Sequence, residues 1–144
     1  LRSLDISVAP AIAWIQEIQI GLKGRSWFVS EFVDGISCLD HLKRGVPHAE
    51  IEKTLGEIVG LLCKLRHKHI SHGDLKATNI LLSDQGPVLI DLDAMRQHKT
   101  EITYQQAARK DINRFLQNWQ DNPVLLATAR QLLSAQGFPT DPPS

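Results

Sequence analysis

Cysteine is scarce in this chain. Only Cys38 and Cys63 carry thiols among 144 residues. They lack the C-x-x-C spacing of a zinc or redox site, so both read as reduced, half-buried side chains of a cytosolic protein. Net charge is missing too: 16 Lys and Arg balance 16 Asp and Glu, which points to neither a nucleic-acid nor a membrane-surface partner. No apolar run approaches the roughly 20 residues that cross a bilayer, and no signal peptide opens the chain. There is no internal repeat and no low-complexity segment; proline clusters only in the closing FPTDPPS, read as a loose tail. The length suits about one domain. The first residue is Leu1 rather than Met, from which a piece of a longer protein is expected.

What is present is a dense run of elements. Ala11 to Ile20 and Ser26 to Val33 are apolar, β-branched or aromatic in character, and the turn-like GLKGR between them predicts a β-hairpin that Asp34 and Gly35 break off. From Pro47 to about His69, Ile51, Leu55, Ile58, Val59, Leu62 and Leu65 recur at helical spacing, with Pro47 suited to the first turn and basic residues near the end. Ile80 to Leu82 and Val88 to Ile90 flank SDQG and predict a second hairpin. A helix from about Tyr104 to Trp119 should bury Ile112, Phe115, Leu116 and Trp119. Asn122 followed by Pro123 starts another, which Gly137 should end. Hairpin, long helix, hairpin and two helices make an α+β domain.

The chemistry gathers in HGDLKATN, residues 72–79, and in Asp91 at the end of PVLID. Asp74, Lys76 and Asn79 fall between a helix and a strand, where polar side chains can face a ligand. Asp91 directly follows a buried strand, so its charge can be held rigidly at the mouth of a cleft. Carboxylate and amide oxygens are hard donors suited to Mg²⁺, which is usually shared between one or two carboxylates and substrate phosphates. A lysine can neutralise phosphate charge. The remaining aspartate can orient a hydroxyl and take its proton. Two metal ligands, a cation and a base compose a phosphoryl-transfer site.

HGDLKATNILL followed by VLIDLD resembles the catalytic loop and metal-binding turn of the protein-kinase-like fold, whose signature is His-Arg-Asp-Leu-Lys-x-x-Asn and then Asp-Phe-Gly. At roughly one in twenty per position, matches at His72, Asp74, Leu75, Lys76 and Asn79 would arise by chance in only about one such chain in twenty thousand. The resemblance implies that Asp74 is the catalytic base and that Lys76 contacts the transferred phosphate. It implies that Asn79 and Asp91 hold Mg²⁺ and that His72 packs beneath the loop. WFVSEFVDG then looks like the last N-lobe strand and hinge, where backbone groups of Glu31 and Val33 would meet the adenine of ATP. Asp111 either anchors the catalytic-loop backbone or is a solvated helix cap. The implied architecture is a protein-kinase-like fold. Residues 1–36 would be the end of a truncated N-lobe with its hinge, and residues 37–144 a mostly helical C-lobe.

Departures narrow the family. Gly73 replaces the arginine that pairs with a phosphorylated activation loop in regulated protein kinases, so that switch should be absent. About ten residues separate Asp93 from the next helix as read here, too few for a peptide-docking segment, and no Ala-Pro-Glu follows. Asp93 stands where the family often has Gly, either joining the metal site or, the preferred reading, capping a turn. HGDLKATN, IDLDAMR and RKDINRFLQNW together resemble the lipopolysaccharide core kinases of Gram-negative bacteria, which phosphorylate Kdo or heptose sugars with ATP. That resemblance implies a cytoplasmic enzyme in peripheral contact with the inner membrane, taking ATP and a soluble or lipid-linked sugar.

A complete kinase-like enzyme also has a glycine-rich phosphate cover and a strand lysine paired to a helix glutamate. Neither is apparent, and Lys23 reads as a turn residue. The isolated chain is therefore expected to begin late in the N-lobe and to catalyse nothing measurable. An atypical protein kinase, a small-molecule kinase and a non-catalytic scaffold are the competing readings.

Overall fold

The computed structural model describes residues 6–19 and 22–140, with side chains outside the 11–30 stretch. Strands β1 (Ala11–Gln19) and β2 (Leu22–Ser30) form an antiparallel hairpin in which Trp14 pairs with Phe28 and Ile18 with Lys23. The first begins at Ala11 as read from the sequence, while the second differs in both ends. β2 starts earlier than Ser26 and stops before Val33, so Leu22 to Arg25 continue the strand rather than turn. Lys23 consequently lies on a strand, which the run of Lys, Gly and Arg disguised. Ile20 and Gly21 of the expected hairpin lie outside the described residues.

A two-residue strand β3 (Ile36–Ser37) follows and leads into helix α1 (Cys38–Lys43), then the long helix α2 (His48–His67). The α1 turn is too short to show a helical period, yet its cap is legible afterwards: Ser37 Oγ accepts from Asp40 N at 3.1 Å and donates to Asp40 Oδ2 at 2.7 Å. In α2 all six apolar positions named from periodicity are buried, each contributing about 1.5–3 kcal/mol of transfer free energy. Pro47 caps that helix from just outside it, with φ −57°. Cys38 is buried without a disulfide and Cys63 is half-buried.

Strand β4 (Ile70–Ser71) leads into the HGDLKATN loop, which closes in a 3₁₀ turn at Ala77–Asn79. Strands β5 (Ile80–Ser83) and β6 (Gly86–Leu89) then form the expected second hairpin, and β3 adds to its β5 edge. On the other side, Leu89 accepts from Ala9 N and donates to Ser7 O, so residues 6–9 lie along β6, with Ile6 and Ala9 buried there. Strand β7 (Arg96–Gln97) pairs back onto β4. These short ladders surround the motif loop from both sides.

Helices α3 (Glu101–Gln117) and α4 (Pro123–Ala135) complete the core with α2. The start of α3 comes three residues before the expected Tyr104, because Thr100 Oγ1 caps Thr103 N. Ile112, Phe115, Leu116 and Trp119 are buried as their spacing predicts. Asn122 caps α4 through Leu125 N at 3.1 Å. Gly137, at φ +75°, ends it: Phe138 N returns to Leu133 O and Gly137 N to Ser134 O. The closing segment is less loose than expected at its start. Phe138 is buried, with the Arg66 guanidinium 4.6 Å from its ring centre.

Candidate active site

The loop alternates inward and outward side chains. Leu75 and Ala77 are fully buried, while Asp74 and Lys76 are half-buried and Thr78 is exposed. This is why only small or apolar residues separate the polar ones: they are the pegs that seat the loop in the core. Lys76 N donates to Asp74 O, and Asn79 N to Lys76 O, both at 2.9 Å. Asn79 is also buried, and its Nδ2 donates to Asp74 O at 2.9 Å. That bond leaves the amide oxygen Oδ1 as the Asn79 atom able to meet a cation.

Asp91 is brought to the same place by its predecessor. Ile90 N donates to Asn79 O at 3.0 Å, and Ile90 O lies 3.0 Å from His72 Nε2. A carbonyl can only accept, so Nε2 carries the ring proton and Nδ1 is left to accept from Asp74 N at 3.4 Å. His72, fully buried, thus ties Asp74 to the segment that leads from β6 to Asp91. Asp91 itself has φ 56°, in the left-handed region that Asp and Asn tolerate better than other side chains. Asp93 is exposed in the turn that Met95 N closes onto Leu92 O at 3.0 Å.

Asp111 settles between its two sequence readings. It is buried on α3, where Oδ2 accepts His72 N at 2.7 Å and Oδ1 accepts Gly73 N at 2.9 Å. It anchors the loop backbone rather than capping a helix in water. Burial pushes its carboxyl above the usual carboxylate range, while the N–H groups of His72, Gly73 and Leu75 pull it back. Asp111→Ala should destabilise the full-length protein by on the order of 2–3 kcal/mol, since two N–H groups lose their acceptor. Urea unfolding measures this, and an unchanged midpoint would contradict the anchoring role.

Gly73 is required by backbone geometry. Its φ is +86°, and a Cβ there would stand 2.7 Å from the Ala94 Cβ and closer still to the Ala94 carbonyl oxygen. The segment after Asp91 packs directly over the loop at this glycine.

The Asp74 carboxylate lies between two cations. Lys76 Nζ is 2.8 Å from Oδ2 and Arg114 Nε is 2.6 Å from Oδ1. The lysine hydrogen bond foremost, then the charges of Arg114 and Lys76, hold its carboxyl below the usual carboxylate range against the opposing pull of desolvation. Arg114 is the residue that sequence reasoning passed over. Its signal was present: it stands one turn after Asp111 in RKDINRF, so a helix face that reaches the loop with one presents the other.

Glu31 and Val33 lie on the segment between β2 and β3. Glu31 is exposed and gives its N–H to Pro10 O at 2.7 Å; Val33 is half-buried. Gly35 then passes so near β5 that a Cβ there would be 2.7 Å from Leu82 O. Among the described residues no helix is long and apolar enough to cross a membrane. Among the described residues no group of three or more His, Cys, Asp or Glu stands ready to hold a metal.

Known proteins share this pattern. Over 66 residues the chain is 38% identical to sporulation-specific protein 1 of Saccharomyces cerevisiae, a match covering 43% of this chain and 14% of that protein. Over 90 residues it is 34% identical to the EKC/KEOPS complex subunit BUD32 of Debaryomyces hansenii, covering 62% of this chain and 34% of that protein. The chain therefore spans about a third or less of the length of these curated relatives. The sequence model of the lipopolysaccharide kinase (Kdo/WaaP) family matches residues 1–135, nearly the whole of it. With that match added to the clustered Asp74, Lys76, Asn79 and Asp91, the chain belongs to the lipopolysaccharide kinase (Kdo/WaaP) family.

Proposed function

We propose that the protein is an ATP-dependent phosphotransferase whose acceptor is a sugar hydroxyl of the lipopolysaccharide inner core, working at the cytoplasmic face of the inner membrane. The observation that carries the reading is the Asp74 carboxylate paired with Lys76, beside an Asn79 and an Asp91 that Ile90 ties together. In this reading residues 1–36 are the end of an N-lobe with its hinge, and residues 37–144 are the C-lobe.

Asn79 Oδ1 and the Asp91 carboxylate would hold Mg²⁺, and the donor set suits it: two hard oxygens from the protein, with nucleotide phosphates to complete the shell. When bound, the cation neutralises phosphate charge. Asp74 then receives the proton of the acceptor hydroxyl as its oxygen attacks the γ-phosphorus and the bond to the ADP oxygen breaks. Lys76 offsets charge on the transferring group. At the hinge Glu31 has given its N–H to Pro10, so its carbonyl would accept from the adenine amine while Val33 meets the ring edge through its backbone. A glycine-rich phosphate cover also completes such a site, and the sequence of residues 1–144 shows none, so the isolated chain should bind ATP weakly.

The short segment after Asp93 supports this acceptor class. Residues 94–100 are tied down through the β7 pairing with β4, and His98 N donates to His69 O at 2.8 Å. A segment so short and so pinned supports no extended peptide groove. A sugar hydroxyl has only to reach Asp74. Labelled ATP, full-length protein, core oligosaccharide and a generic protein mixture test this together. Label is expected on the sugar. Label on protein and never on sugar would transfer the assignment to an atypical protein kinase, and label on neither would leave a non-catalytic scaffold.

A further inference from the structure

The two cations on Asp74 are not equivalent. Lys76 sits on the loop itself, a compact charge on a flexible stem. Arg114 comes from α3, the helix whose Asp111 grips the backbone N–H groups of His72 and Gly73. One helix therefore fixes the loop backbone and, a turn later, one oxygen of its carboxylate at 2.6 Å. No arginine can be supplied at position 73, because φ is +86° there and a Cβ would run into Ala94. The guanidinium beside Asp74 arrives from the helix instead.

We propose that Arg114 is a positioning residue for the transfer step: it holds Asp74 by Oδ1, so that Oδ2 is the oxygen released to the acceptor hydroxyl when Lys76 turns to the transferring phosphate. The inference rests on Asp74 being the base, as proposed above. Lys76 Nζ and Asp74 Oδ2 are 2.8 Å apart, and γ-phosphate oxygens would compete for that ammonium by charge-assisted hydrogen bonds. Without Arg114 the carboxylate would be free to turn with the departing lysine or to swing toward water, its side chain being 27% exposed. With Arg114 it stays aimed. The site is then assembled by the fold itself, with no modification of the segment after Asp93 required.

Full-length protein, labelled ATP and core lipopolysaccharide from a deep-rough strain test this, with thermal unfolding read for every variant. Arg114→Met, which keeps the apolar stem, should lower kcat by about 10²-fold, the scale of an ångström-sized misplacement. KM for ATP should stay within about twofold, since nucleotide binding does not use the lost contact. Arg114→Lys should recover part of the loss, and so should added guanidinium ions with Arg114→Met. Unchanged kcat in Arg114→Met would overturn the proposal. So would a kcat loss matched by equal losses in ATP affinity and melting temperature, the pattern of a merely structural contact. Should Arg114→Met not fold, Arg114→Gln is read by the same criteria. Asp74→Ala separates the two levels: if it keeps wild-type turnover, the phosphotransferase reading itself fails. If it abolishes turnover while Arg114→Met leaves kcat unchanged, only the positioning role fails.

Discussion

Asp74→Ala in the full-length protein should lower turnover by about 10²–10⁴-fold, the usual worth of a positioned general base, while ATP affinity stays within a few-fold. The split follows from where the carboxylate sits. Its oxygens face Lys76 and Arg114, whereas Asn79 and Asp91 are the residues proposed to hold the cation that meets the nucleotide phosphates. Removing Asp74 takes away an interaction made as the hydroxyl loses its proton, so kcat suffers rather than nucleotide binding. The fold should persist, because Leu75 and Ala77 seat the loop and Asp111 still holds its backbone. Nucleotide titration and single-turnover transfer on one preparation measure both halves. Equal losses in affinity and rate would contradict the assignment.

The second large effect is expected at Asp91. Asp91→Asn keeps the size of the side chain and is compatible with φ 56°, so the protein should fold normally. It removes the carboxylate charge of the proposed Mg²⁺ pair. The Mg²⁺ concentration needed for half-maximal transfer should rise by more than the roughly 10–100-fold typical of outer-shell changes. Measured across a magnesium titration, wild-type turnover at limiting Mg²⁺ would rule the ligand role out.

Much of the candidate site was legible in the sequence because three of its four proposed residues fall within one short loop. Asp74, Lys76 and Asn79 share one loop, and that loop is seated by Leu75 and Ala77, whose apolar character is written between them. Asp91 drew notice as the carboxylate that closes the apolar run PVLID. The helices declared themselves where an apolar period ran for several turns, as in α2, and where Asn122 and Gly137 bracket α4. What the sequence hid was local geometry set by tertiary contact. The short α1 carries less than two full turns, so no period can emerge. Lys23 looked like a turn residue because β2 is set by pairing with β1, and cross-strand partners override the weak strand propensity of Lys and Gly. Phe138 looked like tail because the reading stopped at the prolines, while its burial depends on Arg66, far away in the chain. Arg114 and Asp111 illustrate the difference most sharply. Helical spacing places them on one face, but only the fold says that this face meets the motif loop.

Five side chains divide two tasks, and one measurement reads all of them: the crystal structure of the full-length protein with Mg²⁺ and a non-hydrolysable ATP analogue. It should show the cation on Asn79 Oδ1 and Asp91, and Lys76 Nζ turned from Asp74 Oδ2 to the terminal phosphate. Arg114 should still be on Asp74 Oδ1, with Oδ2 open toward solvent. A nucleotide bound away from this loop, or a cation that touches neither Asn79 nor Asp91, would contradict the central claim.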